Sequence, residues 1–196
     1  MALHARGGVA HARGDYELTI RFAYEALEKT SSPEARDRVL GDIASTFVNL
    51  GVRSAARDAL LLLAATAQAQ YSRWLATINL IEIAALDRCE PVFEQYRREL
   101  LDAPLPPSLE VWYHVHVGEG YRAFGRLDAA RAALARAVDI AARHQLNQVL
   151  FKAESELRDI DAGLAVAAVA TVEPPSGVRD VVDAISEMKV VAGVSG

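Results

Sequence analysis

The sequence predicts an all-α fold built from stacked antiparallel helix pairs, and three observations carry that expectation. The first is the stretch 114–138, HVHVGEGYRAFGRLDAARAALARAV, which reads as two helices folded back on each other around Gly125 and Arg126. Gly118 and Ala130 sit where the two helices would touch closely, with Tyr121 and Leu134 as the bulk beside them. The second is recurrence. Weaker copies of the unit have turn positions at Gly14, Gly51, Asp87 and Gly125, spaced 37, 36 and 38 residues. The third is composition: 52% apolar and 24% charged residues, rich in alanine and leucine, favour helices around a substantial core.

The elements follow in order. Residues 1–31 form a first pair with Gly7 and Gly8 in its first helix, a Gly14-Asp15-Tyr16 turn, and Ile20, Ala23, Ala26 and Leu27 as an apolar stripe. Ser32, Pro33 and Glu34 spell a helix start: a hydroxyl cap, proline in the first turn, and a carboxylate against the dipole. That helix runs from about 34 to 50 with Val39, Leu40, Ile43, Phe47 and Leu50 on one face, and Ala55, Ala56, Ala59, Leu60 and Leu63 mark its partner within a second pair over 32–70. A third pair, 71–103, carries Trp74, Leu75, Ile78, Ile81 and Ile83, turns near Leu86–Cys89, and restarts near Glu90 because Pro91 fits only a first turn. Its second helix buries Val92, Tyr96 and Leu100. APLPP (103–107) is a connection, after which Ser108 caps the fourth pair, 108–146. Leu150, Ala153, Leu157, Ile160 and Leu164 predict a capping helix over 147–164. Residues 165–177 read as a linker, and 178–190 as an amphipathic tail helix, with Ser176 as its cap.

The best copy resembles the tetratricopeptide repeat, whose pattern is W-x2-L-G-x2-Y, then A-x3-F, then P. His114, Val117, Gly118 and Tyr121 stand at the first four places and Ala130 and Leu134 at the next two, while the proline is absent. The resemblance implies a right-handed α-solenoid of about four repeats over 1–164. The repeat spacing is longer than the usual 34 residues and is similar to the arrays of MalT-type bacterial regulators.

Chemistry finds little footing. His114 and His116 form H-x-H, but residues two apart on a helix diverge by about 200° and cannot share one ion, so no metal site is expected. Glu154/Glu156 and Asp159/Asp161 diverge for the same reason. Cys89 is the single cysteine and has no histidine near it in sequence. No phosphate loop is present, and neither catalysis nor a cofactor is expected. A net charge of −5 without a basic stripe disfavours nucleic acid, and the apolar runs are too short to span a bilayer. With one cysteine and no signal peptide, a cytoplasmic location is expected.

What remains is binding. In the family that the chain resembles, the first helix of each pair lines a concave groove. Carried over by the repeat pattern, the groove positions are His4, Gly8 and His11; then Arg38, Asp42, Ser45 and Asn49; then Trp74, Thr77, Ile78 and Ile81; then Trp112, His116, Glu119 and Arg122. The cap helix adds Gln148, Phe151, Ser155 and Arg158. Trp74 and Trp112 fit either the groove or, two residues out of register, the family's core tryptophan. The implied function is a scaffold for a protein or peptide partner. The alternative is the sensor or effector module of a larger bacterial signalling or transcription regulator. The tail stripe Val181, Val182, Ile185 and Met188, on a linker of about 20 Å reach, would dock in the groove of its own or a second copy, with packing on the cap helix as the other option.

Overall fold

A computed structural model of the chain describes residues 2–166 and 170–194. Its elements are α1 (Ala2–Ala12), α2 (Tyr16–Lys29), α3 (Pro33–Leu50), α4 (Arg53–Thr66), α5 (Gln70–Leu86), α6 (Glu90–Glu99), α7 (Pro107–Ala123), α8 (Leu127–Arg143), α9 (Asn147–Asp161), a 3-10 turn (Ser176–Val178) and α10 (Arg179–Val191). There is no strand among the described residues. No helix among them is long and apolar enough to cross a membrane.

One turn is used again and again. Gly14, Gly51, Arg88 and Gly125 are all left-handed, with φ of 73, 77, 56 and 76°. After each, the next residue sends its N–H back five residues: Asp15 to the Ala10 carbonyl at 3.0 Å, Val52 to Phe47 at 3.0 Å, Cys89 to Ala84 at 2.9 Å, and Arg126 to Tyr121 at 2.8 Å. This is the glycine-type helix stop that satisfies the last carbonyls and reverses the chain. Its left-handed residues stand at 14, 51, 88 and 125, 37 apart each time. The uneven spacing read from sequence arose because the third turn centres on Arg88 rather than Asp87; the glycine is lost there but the conformation is kept. The same turn at Gln145, with φ 56°, joins α8 to α9.

The chain divides into two compact units, residues 1–76 with 170–196, and residues 77–169. In the first, Ile20, Leu27, Leu40, Ile43, Phe47, Ala56, Leu60 and Leu63 form the core. The start of α3 is as expected: Ser32 Oγ accepts from the Ala35 N–H at 3.4 Å, with Pro33 in the first turn. The tail helix α10 packs on α4 and α2, the second helices of their pairs. Within this unit its seat is thus on the second helices rather than in the expected groove of the first helices, with the Arg36–Met188 contact as its tie to α3. Val178, Val181 and Ile185 are buried there, Val182 and Met188 half-buried. Two polar ties flank them, Lys189 Nζ to Asp58 at 2.7 Å and Arg36 Nη2 to Met188 sulfur at 3.5 Å. The physical reason lies in α4. Its run ALLLLAA is apolar on nearly every side, so α3 covers one face and leaves another to fill. Ser176 makes no capping bond and opens the 3-10 turn instead. Of the expected linker, residues 167–169 lie outside the described residues, while the Val172 N–H donates to the Gly51 carbonyl at 3.1 Å, tying this stretch to the α3–α4 turn.

In the second unit α7 is the central helix. A Cβ on Gly118 would lie 2.6 Å from Leu134 Cγ and 3.4 Å from the Ala130 carbonyl oxygen, the close helix contact expected from sequence. Gly120 is closer still to its neighbour: a Cβ there would enter the Phe93 ring, 2.7 Å from Cζ and 2.8 Å from Cδ2. Phe93 is fully buried and meets Tyr121 and Phe124 edge-to-face. On α6 it replaces Val92, which is exposed, as the principal buried residue; Leu100 is buried as expected and Tyr96 only in part. Ser108 lies inside the first turn of α7 rather than capping it. Pro106 takes the cap position and Pro107 starts the helix, where its missing N–H costs nothing.

Candidate functional site

The second unit holds a cleft of about 390 Å³, lined by residues of α5, α7 and α9, among them Glu82, Glu119, Arg122, Glu156 and Asp159. Its base is a chain of charges. His116, 5% exposed, donates from Nδ1 to Glu119 Oε2 at 2.8 Å and holds Nε2 4.0 Å from Glu82. Lys152 closes on the other Glu119 oxygen at 2.6 Å. Arg122 donates from Nη1 to Glu156 at 2.6 Å, lies 3.6 Å from Asp159, and donates from Nη2 to the Leu164 carbonyl at 2.9 Å.

These contacts set the ionisation. Burial pushes the Glu119 carboxyl upward, but the His116 hydrogen bond and charge together with Lys152 overcome it and hold the group down at about 2. Burial lowers His116, but Glu82 and the Glu119 hydrogen bond outweigh that and raise it above its ordinary value. Lys152, also partly desolvated, is raised by Glu119. The arrangement is an ion-paired wall with its charges mutually satisfied.

Of the α7 residues expected in a groove, Glu119 and Arg122 line the cleft and His116 supports it from below. Trp112 stacks on His116, with ring centroids 5.5 Å apart and planes 20° from parallel, and packs against the Val111–Val115–Ile140 cluster. His114 lies elsewhere on α7. It lines a second groove of about 620 Å³ with Tyr113, Tyr121 and Arg136, so the two histidines diverge as their spacing requires.

Two corrections concern α5 and α9. Ile78 and Ile81 are fully buried and Thr77 nearly so; they belong to the core, because α5 is apolar around most of its circumference. Trp74, in the first unit, is half-buried. On α9 the apolar stripe is as expected, but the cleft lies on its other flank. Phe151 is 68% exposed, and Gln148, Ser155 and Arg158 are exposed too, while Lys152, Glu156 and Asp159 face α7. The signal that finds them is charge at i, i+4, i+7 on α9 set against Glu119 and Arg122 on α7. Glu82 also escaped the sequence reading, hidden in the apolar run of α5.

The first unit holds its own cavity of about 310 Å³, lined by Gly7, Gly8, His11, Thr19, Ala23, Asp42, Ser45 and Thr46. Four of the expected positions, Gly8, His11, Asp42 and Ser45, come together here. Arg38 and Asn49 are exposed on α3 outside the lining, and the His4 side chain lies outside the described residues.

Among the described residues, no group of three or more His, Cys, Asp or Glu side chains is placed to hold a metal ion. No family model, no curated protein and no solved structure matches this chain.

Proposed function

We propose that the chain is a non-catalytic scaffold of tetratricopeptide-like helix pairs that holds a segment of a partner protein against the first helices of those pairs. One observation carries the reading. In each unit, first-helix positions named by the repeat pattern line an open cleft: Gly8, His11, Asp42 and Ser45 in one, Glu119 and Arg122 in the other. The constant 37-residue interval between left-handed turns supports the repeat. The cleft in the second unit mixes preorganised charge with small apolar surface from Ala85, Leu86 and Ala123, which suits an extended peptide better than a flat protein face.

The test is to pan a phage-displayed random dodecamer library against the chain and to measure enriched peptides on Glu82→Lys. Glu82 lines the cleft 4.0 Å from His116 and helps to hold that ring charged, so a urea melt of Glu82→Lys accompanies the binding measurement and Glu82→Gln repeats it without the added cation. Binding should weaken at least tenfold on Glu82→Lys and stay unchanged on Arg143→Glu, an exposed control on α8. Failure to enrich any peptide, or enriched peptides indifferent to Glu82→Lys, would overturn the reading.

A further inference from the structure

The cleft in the second unit already borders a piece of its own chain. After α9, Gly163 turns left-handed at φ 67° and the Leu164 N–H returns to the Asp159 carbonyl at 2.9 Å. The turn is the one used between paired helices, but here Leu164–Val166 continue outside any helix. The Leu164 carbonyl accepts from Arg122 Nη2 at 2.9 Å, and Ala165 and Val166 then line the cleft.

This stretch is held by its backbone rather than by burial. Leu164 is 56% exposed and Ala165 and Val166 are exposed as well. By contrast the Arg122 side chain, at 8% exposure, is fixed through Nη1 by Glu156 and Asp159. Its guanidinium is therefore a rigid fork, with one arm anchored and the other presented to a carbonyl. A carbonyl is common to every peptide, so that arm would accept a partner's backbone as readily as Leu164.

We propose that Leu164–Val166 is a placeholder, and that the partner binds in its stead as an extended segment. One main-chain carbonyl would sit on Arg122, and side chains of alanine or valine size would lie against Ala85, Leu86 and Ala123. This rests on the peptide-scaffold reading and adds the binding mode and its built-in competitor. A tethered segment competes at an effective concentration in the millimolar range, so apparent affinity is reduced by the fraction of time the cleft is open. Releasing the segment then tightens binding without adding any contact.

The probe is a fluorescein-labelled peptide of residues 162–173, AGLAVAAVATVE, read by anisotropy. Two chains are compared with wild type. Gly163→Val closes the left-handed conformation to a β-branched residue in a place where a Cβ meets nothing within 4 Å. The second combines it with Leu164→Gly, Ala165→Gly and Val166→Gly. Both should bind the peptide at least tenfold more tightly than wild type, and adding Arg122→Lys should abolish the gain. Equal affinity in all chains, or no binding to any, overturns the inference. If the dodecamer library still yields binders sensitive to Glu82→Lys, the scaffold reading survives that failure; if it yields none, both fall together.

Discussion

Gly120→Ala asks the most of the packing in the second unit. In an isolated helix this change stabilises by about 1 kcal/mol, because alanine removes the backbone entropy that glycine loses on folding. Here the added methyl would enter the ring of Phe93, which is fully buried and bounded edge-to-face by Tyr121 and Phe124. Overpacking of this kind costs about 1–3 kcal/mol, and so confined a ring argues for the upper end. The expected net loss is about 2 kcal/mol. Trp112 lies in this unit and Trp74 in the other, so Trp112 fluorescence in a Trp74→Phe background follows the relevant unfolding. With an m value of about 1–2 kcal/mol per molar urea, the midpoint should fall by about 1–2 M. Phe93→Leu should remove most of the penalty, giving a coupling of at least about 1 kcal/mol in the double-mutant cycle. A Gly120→Ala chain more stable than wild type would refute the packing of α6 on α7.

Further expectations follow from the same geometry. Gly118→Leu should destabilise by about 1–3 kcal/mol through Leu134, and an unchanged urea midpoint would contradict the α7–α8 contact. Ile185→Ala should cost about 2–5 kcal/mol in the unit that α10 seals, while half-buried Val182→Ala costs much less; equal effects would mean that the tail is not seated on α4. The buried ion pair sets a pH window. His116, raised above 6.5, contributes stability that is complete below pH 6.5 and is lost as pH climbs through its folded value. Glu119, lowered from 4.5 to about 2, contributes stability that is complete above pH 4.5 and is lost as pH falls toward 2. Melting temperature should therefore be highest between about pH 4.5 and 6.5. His116→Gln should flatten the alkaline limb and Glu119→Gln the acid one; unchanged limbs would show that the pair does not titrate with folding.

Helix existence was readable almost throughout, because apolar spacing, Ser32-Pro33 and the glycine turns are local signals. The close contact at Gly118 was readable for the same reason. What escaped was whatever depends on which flank of a helix meets its neighbour. On α6, Val92 and Phe93 are adjacent, and only the hollow at Gly120 decides that the ring goes inward. On α9 the apolar stripe was plain, but its two polar flanks look alike until Glu119 and Arg122 choose Lys152, Glu156 and Asp159. The tail helix announced an apolar face, yet its seat depended on α4 having a second uncovered side. Arg88 shows the converse: the backbone kept a turn that its side chain no longer advertises.

The most direct test of the cleft as a peptide site is a titration of the isotope-labelled chain with an enriched dodecamer, followed by backbone amide NMR. Shifts concentrated at Glu82, Glu119, Arg122 and Glu156, with Leu164–Val166 moving toward free-chain positions, are the expected result. Shifts confined to other surfaces, with the Arg122–Leu164 contact undisturbed, would contradict it.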